Sequence, residues 1–193
     1  MVRRSAFSVI VSVPGLAARR AALRERKHLT FLLGGSRSGK SAYAEKLTSG
    51  FPAPWRYIAT AQALDDEMQE RIAHHQKRRS DSWETVNAPL DLVGALNDAP
   101  KAQPVLVDCL TLWLTNHMLA EHDLETECGA LEKVLAKPKG PWFVVANEVG
   151  LGIVPENALA RRFRDVSGRL NQRVAAEADR VLLMVAGLPV QVK

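Results

Sequence analysis

The stretch Leu29–Ser41, LTFLLGGSRSGKS, decides the fold. Leu29–Leu33 is a short apolar run that ends in glycines, which is typical of a buried strand. The residues from Ser41 to about Thr48 favour a helix. Between the two, GGSRSGKS matches G-x-x-x-x-G-K-[ST], a phosphate-binding loop (P-loop) that joins a strand to a helix. The sequence therefore predicts a protein that binds nucleotides.

The P-loop supplies eight residues that we expect to contact the nucleotide: Gly34, Gly35, Ser36, Arg37, Ser38, Gly39, Lys40 and Ser41. Their backbone N–H groups would face the phosphates at the N-terminus of a helix. We expect Lys40 to reach the β- and γ-phosphates and Ser41 to bind Mg²⁺. A chance glycine turn before a Lys-Ser pair is the alternative, and the strand and helix on either side count against it.

Short apolar runs alternate with helical patterns along the rest of the chain. We predict strands at Arg56–Thr60, Pro104–Asp108, Trp142–Ala146 and Val181–Val185, with a possible short one at Val190–Val192. We predict helices over Asp65–Arg79, Leu110–Ala120, about 124–136 and about 157–178. Continuous apolar strands between helices indicate a parallel sheet that is covered on both faces. The predicted fold class is α/β, of the RecA-like P-loop NTPase type, as one domain over residues 28–193.

Basic residues are concentrated at the N-terminus. Residues 1–27 contain seven Lys and Arg and the single acid Glu25, whereas residues 28–193 contain 19 basic and 20 acidic residues. The net charge of +5 therefore belongs to the N-terminal segment, and it does not predict binding to nucleic acid. We interpret residues 1–27 as a poorly ordered basic extension. A transit peptide, and a true start near Lys27, are the alternatives.

Composition also bears on where the protein works. No apolar run is long enough to cross a bilayer. Two cysteines, Cys109 and Cys128, cannot form a disulfide framework, and nothing else in the sequence indicates an oxidising compartment. We therefore expect a cytoplasmic protein.

Asp108 ends the apolar strand Val105-Leu106-Val107-Asp108. P-loop proteins place the acid that holds Mg²⁺ at such a position, so we predict that Asp108 contributes to a metal site with Ser41. The alternative is that Asp108 caps the helix that follows it.

Two adjacent histidines lie in the predicted helix Asp65–Arg79. His75 shares a face with Met68 and Ile72, which suggests a packing role. His74 shares a charged face with Arg71 and Arg78 and would suit a nucleophile that receives a phosphoryl group. The pattern alone leaves open whether His74 is catalytic or an ordinary surface histidine.

Asn147 and Glu148 follow the predicted strand Trp142–Ala146 and open a glycine-containing loop over Val149–Pro155. Ligands of open α/β sheets bind beyond the carboxyl ends of the strands, so these polar residues could contact a ligand. A simple turn that leads into the next helix is the alternative.

Four stretches together resemble the bifunctional adenosylcobinamide kinase/adenosylcobinamide-phosphate guanylyltransferases of cobalamin biosynthesis. They are GGSRSGKS (34–41), YIATAQALDDEMQERIAHHQKRR (57–79), VDCLTLWLTN (107–116) and NEVGLGIVPENALARRFRDVSGRLNQRVA (147–175). The resemblance covers about residues 29–193 and is far more specific than the P-loop alone.

The resemblance implies two reactions. ATP or GTP phosphorylates the aminopropanol hydroxyl of adenosylcobinamide, and GTP then transfers GMP to adenosylcobinamide phosphate with release of pyrophosphate. It implies that His74 is the guanylylated residue, that the fold is a P-loop sheet and that the protein is a homotrimer. It also implies contacts to guanine and ribose from Ala61, Gln62, Ala63, His75, Gln76, Lys77 and Arg78.

Two features depart from the family pattern, and two other functions stay open. The family leads us to expect acidic residues near Val86–Pro89, where this chain has Asn87, and the basic extension is not a family feature. A P-loop small-molecule kinase without a covalent intermediate is the main alternative. A nucleotide-binding switch is a second, although the sequence has no N-K-x-D run for guanine.

Overall fold

Strands and helices alternate along residues 28–62 and 80–193, which are the residues that the computed structural model describes. The strands are β1 His28–Gly34, β2 Trp55–Ala59, β3 Trp83–Asn87, β4 Val105–Asp108, β5 Pro141–Asn147, β6 Arg180–Val185 and β7 Leu188–Gln191. The helices are α1 Lys40–Thr48, α2 Leu92–Asn97, α3 Leu110–Leu119, α4 Leu124–Leu135 and α5 Ala158–Glu177.

The strands form one sheet in the order β3-β2-β4-β5-β1-β6-β7. Neighbouring strands are parallel except for β6 and β7, which form an antiparallel hairpin. Strand β5 lies between β1, which leads into the P-loop, and β4, which ends in Asp108. The order and direction of the strands confirm the predicted RecA-like P-loop fold.

Helices cover both faces of the sheet, as predicted. Side chains alternate along β1, so Phe31 and Leu32 point to opposite faces. Leu32 belongs to a buried cluster with Ala44 of α1. Phe31 belongs to the larger cluster, in which Trp113 of α3 packs with residues of α2, α4 and α5. None of the helices in the described part of the chain is long and apolar enough to cross a membrane.

Two elements escape the sequence analysis, and both have a physical reason. Strand β3 lies at the edge of the sheet, and its residues WETVN are exposed or half-buried, so they form no apolar run. Helix α2 has six residues, too few to show a helical period. Its N-cap is Asp91, whose Oδ1 accepts a hydrogen bond from Gly94 N at 2.8 Å. The predicted helix Asp65–Arg79 and the extension 1–27 lie outside the described residues.

Candidate active site

The carboxyl ends of five neighbouring strands bring the predicted site residues to one edge of the sheet. Gly34 pairs with Asn147, and Ala59 pairs with both Asp108 and Asn87. The P-loop, the acid of β4 and the loop after β5 therefore lie side by side. This is the edge at which open α/β sheets bind their ligands.

Two glycines of the P-loop hold conformations that other residues would strain. Gly34 has a φ of 156°, and a Cβ there would lie 2.6 Å from Ser38 Oγ and 2.7 Å from Met184 O. Gly39 has a φ of 90° and is the N-cap of α1. Because Gly39 has no side chain and the first turn of α1 has no acidic residue, the helix N-terminus can attract an anion.

Lys40 is the buried cation of the P-loop. Lys40 is 6% exposed, and its Nζ donates a hydrogen bond to Gly35 O at 2.6 Å. Burial lowers the pKa of Lys40, while the nearby Cys109 and Asp108 raise it. Burial also raises the pKa of the Cys109 thiol to about 11, so that thiol stays protonated near neutral pH. Asp108 is therefore the anionic neighbour of Lys40 under those conditions.

The Asp108 carboxylate faces β2. The hydroxyl of Tyr57 donates a hydrogen bond to Asp108 Oδ2 at 3.1 Å. The N-cap of α3 is Cys109, and no side chain caps that helix. The structure thus gives no support to Asp108 as a helix cap. A carboxylate and the hydroxyl of Ser41 are oxygen ligands of the kind that Mg²⁺ prefers, so the residues fit the predicted metal.

Buried polar side chains that the sequence analysis missed fix this edge of the sheet. Thr60 Oγ1 accepts a hydrogen bond from Cys109 N at 2.8 Å and donates one to Cys109 O at 2.7 Å. Asn116 Nδ2 donates to the carbonyl oxygens of Thr60 and Pro89, both at 2.8 Å. These bonds tie the end of β2 to α3. The sequence signal that could have revealed Asn116 is a polar residue within the otherwise apolar helix α3.

The turn between β6 and β7 supports the P-loop from the other side. Ala186 and Gly187 have φ angles of 50° and 82°, as a tight hairpin turn requires. Gly187 N donates a hydrogen bond to Ser38 O at 3.0 Å. A Cβ on Gly39 would lie 3.2 Å from Gly187 Cα, so the two backbones pack closely because Gly39 has no side chain.

The loop after β5 borders the P-loop and an apolar groove. Glu148 N donates a hydrogen bond to Gly34 O at 3.0 Å, and Asn147 N donates one to Thr111 Oγ1 at 2.7 Å. Beyond them, a groove of about 420 Å³ runs between this loop, α3 and the start of α5. Leu151 and Ile153 of the same loop are 87% and 97% exposed. A large partly apolar ligand, or another protein surface, could cover these side chains.

The remaining predicted contacts fall into two groups. Ala61 and Gln62 are half-buried directly after β2, at the same edge as Asp108, and Asn87 is exposed at the end of β3. The other predicted residues lie outside the described ones: Ala63, His74, His75, Gln76, Lys77 and Arg78.

Comparison with known proteins identifies the family. The cobinamide kinase / cobinamide phosphate guanyltransferase family matches residues 30–192. The chain belongs to this family. Three named relatives agree with that assignment, and all three are bifunctional adenosylcobalamin biosynthesis proteins.

This member of the cobinamide kinase / cobinamide phosphate guanyltransferase family aligns with nearly the whole length of each relative. CobP of Pseudomonas aeruginosa is 46% identical over 165 residues, which are 84% of this chain and 95% of the relative. CobU of Salmonella typhimurium is 43% identical over 182 residues, or 86% of this chain and 99% of the relative. CobU of Escherichia coli is 38% identical over 181 residues, with the same two shares. The family resemblance seen in the four sequence stretches is confirmed.

Proposed function

We propose that this chain phosphorylates adenosylcobinamide and then converts the product to adenosylcobinamide-GDP. The family match over residues 30–192 carries the proposal. The complete P-loop beside the Asp108 carboxylate supports it, because both reactions need a site that holds a nucleoside triphosphate.

The P-loop would hold the phosphates in both reactions. Backbone N–H groups at the start of α1 and the Lys40 ammonium would bind the β- and γ-phosphates, and Ser41 and Asp108 would hold Mg²⁺. Bound Mg²⁺ neutralises the charge that develops on the phosphate oxygens during transfer. We propose both ATP and GTP as phosphate donors.

In the kinase reaction the substrate hydroxyl attacks the γ-phosphorus of the nucleotide. The new bond joins that hydroxyl oxygen to phosphorus, and the nucleoside diphosphate leaves with the electrons of the broken P–O bond. Lys40 would stabilise the leaving oxygens, because its buried ammonium interacts with anions more strongly than an exposed one would.

In the guanylyl transfer we propose that the His74 imidazole attacks the α-phosphorus of GTP and expels pyrophosphate. The phosphate of the corrinoid substrate then attacks the same phosphorus and releases the histidine. The segment that carries His74 follows Gln62, which lies at the nucleotide edge of the sheet. That placement of Gln62 supports the proposal. We also propose that guanine and ribose contact Ala61, Gln62, Ala63 and residues 75–78.

The decisive experiment is the intact mass of the protein after incubation with GTP and Mg²⁺, without any corrinoid. We expect the mass of one GMP moiety to be added, and the adduct to be labile in acid, as a phosphoramidate is. His74→Ala should bind GTP and gain no mass. His75→Ala, which keeps the nucleophile, should still be labelled, although more slowly if it contacts the nucleotide.

The same experiment separates the alternative function. A protein that binds GTP and shows no adduct would be a kinase without a covalent intermediate, and phosphate transfer to cobinamide would then be the assay of choice. A protein that hydrolyses nucleotide slowly and transfers neither phosphate nor GMP to a corrinoid would be a nucleotide-binding switch.

We further propose that the protein is a cytoplasmic homotrimer. Exposed apolar side chains at Leu151, Ile153 and Leu188 support self-association, because such groups are usually covered in an assembly. Cys109 and Cys128 are both unpaired, as in a reducing compartment. Native mass spectrometry of the full chain tests the trimer, and a monomeric mass at micromolar concentration would contradict it.

A further inference from the structure

Three side chains that can bind a metal meet where α3 turns into α4. His117 lies near the end of α3, His122 in the connection and Glu127 in the first turn of α4. The two Nδ1 atoms are 3.0 Å apart, and His117 Nδ1 is 3.9 Å from a Glu127 carboxylate oxygen. The three ligand atoms all lie within 4.8 Å of one another. Asp108 precedes the opposite end of α3, so this cluster is separate from the nucleotide site.

The end of α3 brings the two histidines together. Glu121 adopts a φ of 56°, and its N–H donates a hydrogen bond to Met118 O, while His122 N donates to His117 O at 3.1 Å. This pair of bonds is a Schellman motif, which places the residue after the turn against the residue three positions before the helix end. These two positions usually hold an apolar pair. Here both hold imidazoles.

The surroundings of His117 orient one nitrogen toward the cluster. His117 is 2% exposed and packs against the Trp113 ring, with the ring centroids 4.6 Å apart. Its Nε2 lies 3.1 Å from the carbonyl oxygen of Leu90, which can only accept a hydrogen bond. The neutral ring therefore carries its proton on Nε2, and the lone pair of Nδ1 faces His122. Histidines that bind metals are held in the same way, by a carbonyl or carboxylate on their second nitrogen.

We propose that His117, His122 and Glu127 bind a divalent transition metal ion of the Zn²⁺, Co²⁺ or Ni²⁺ class. Two imidazoles and one carboxylate suit these ions, whereas Mg²⁺ prefers oxygen ligands alone. Ligand atoms at about 2.0–2.1 Å from a tetrahedral zinc lie about 3.4 Å apart, so His117 and His122 need to separate by only a few tenths of an ångström. His122 is exposed and can pass its Nδ1 proton to Nε2 when the metal binds. A water molecule would complete the tetrahedron.

The proposed site has a structural role in the fold. It joins α3 to α4 through side chains on both helices. The neighbour of His117, Asn116, holds the carbonyl oxygens of Thr60 and Pro89 at the nucleotide edge. A metal that binds the folded chain in preference to the unfolded one raises the melting temperature, by an amount that grows with the logarithm of the metal concentration relative to its Kd.

Titration of the full chain with Co²⁺ tests the proposal, after treatment with a chelator and with no nucleotide or Mg²⁺ present. We expect one equivalent to bind with micromolar or tighter affinity and to show the visible absorption of tetrahedral Co²⁺, which Zn²⁺ abolishes by displacement. His122→Ala and Glu127→Gln should each weaken binding at least tenfold. Both residues lie at least partly at the surface, so neither variant should unfold the protein.

The matched control is the double variant His74→Ala/His75→Ala, which removes two of the three histidines that lie outside the proposed site. It should bind Co²⁺ as the parent protein does. At the same concentration, Zn²⁺ should raise the melting temperature of the parent and of this control by more than that of His122→Ala. Equal Co²⁺ binding by the parent and His122→Ala, or parent binding only in the millimolar range, would overturn the proposal.

Discussion

Asp108 shows how much of the site depends on single residues at strand ends. Its carboxylate accepts a hydrogen bond from Tyr57, and its charge opposes part of the lowering of the Lys40 pKa that burial causes. A carboxylate that balances a buried ammonium can serve two purposes, since it holds the lysine in its charged form and supplies an oxygen for Mg²⁺.

We predict that Asp108→Asn lowers kcat at least tenfold and raises the Mg²⁺ concentration that gives half-maximal rate. The amide keeps the shape of the carboxylate and loses the charge that attracts the cation. Nucleotide binding in the presence of EDTA should stay as tight or become tighter, because one negative charge near the phosphates is gone. Initial rates over a Mg²⁺ series, together with equilibrium binding of nucleotide, measure both effects.

Tyr57→Phe provides the comparison for Asp108→Asn. It removes one hydrogen bond to the carboxylate and leaves the charge, so we expect a change in kcat of only a few-fold. An Asp108→Asn protein whose Mg²⁺ dependence matches that of the parent would contradict the metal role of Asp108.

At the level of residues, side chains within one consecutive motif could be predicted from the sequence. Side chains whose hydrogen-bond partners lie far away along the chain could not. The P-loop could be predicted because its eight residues are consecutive and its Gly, Lys and Ser positions have known tasks. Thr60 could not be assigned, because its partner Cys109 is 49 residues away and becomes a neighbour only in the sheet. The same is true of Asn116, which bonds to carbonyl oxygens of two other segments.

The edge strand β3 shows the corresponding limit for whole elements. The interior strands were predicted because they are buried on both faces and read as unbroken apolar runs. Strand β3 has a neighbour on one side only. Its polar residues pair with residues of β2, and the sequence of β3 alone does not reveal those partners. Arg56 of β2 lies opposite Glu84 of β3, and Arg56 Nη2 is 2.9 Å from Glu84 Oε1.

We predict that Glu84→Gln lowers the free energy of unfolding by about 1 kcal/mol or less at neutral pH, because the Glu84 side chain is about half exposed. Hydrogen bonds from Arg56 and Gln103 hold the pKa of Glu84 below its ordinary value of 4.5. A depressed carboxyl pKa stabilises the folded state above the ordinary value, and this stabilisation is lost as the pH falls through the folded-state pKa. The difference between parent and variant should therefore shrink toward zero in acid.

Urea unfolding at several pH values between neutrality and the onset of acid unfolding measures this difference. Glu156→Gln, in the exposed loop before α5, is the matched control and should show little difference at any pH. A difference between parent and Glu84→Gln that grew as the pH fell would contradict the role given to the Arg56–Glu84 pair.

At the scale of the whole molecule, the basic residues 1–27 precede His28, which is the first residue of β1. The ring of His28 packs against Phe51 and Phe143, and His28 N donates a hydrogen bond to Gly140 O at 3.2 Å. The family match begins at residue 30, and the relatives align with 84–86% of the chain. We therefore expect the stability of the domain to depend on His28 and not on residues 1–26.

We predict that deletion of residues 1–26 changes kcat and KM of both reactions by no more than about twofold. The melting temperature should change by no more than a few degrees, as it does for neutral surface substitutions. Steady-state rates and thermal unfolding of the shortened and full chains check this. A second deletion that also removes Lys27 and His28 should lower the melting temperature, because it takes away the contacts of His28 with Phe51 and Phe143.

The nucleotide is anionic and residues 1–27 carry seven basic side chains, so these residues could act on catalysis by attracting the substrate. Attraction of this kind weakens as salt screens it. A shortened protein that folds normally and shows a raised KM for GTP only at low ionic strength would show that the extension collects substrate by charge. A loss of activity that persists at high salt would instead make the extension part of the site.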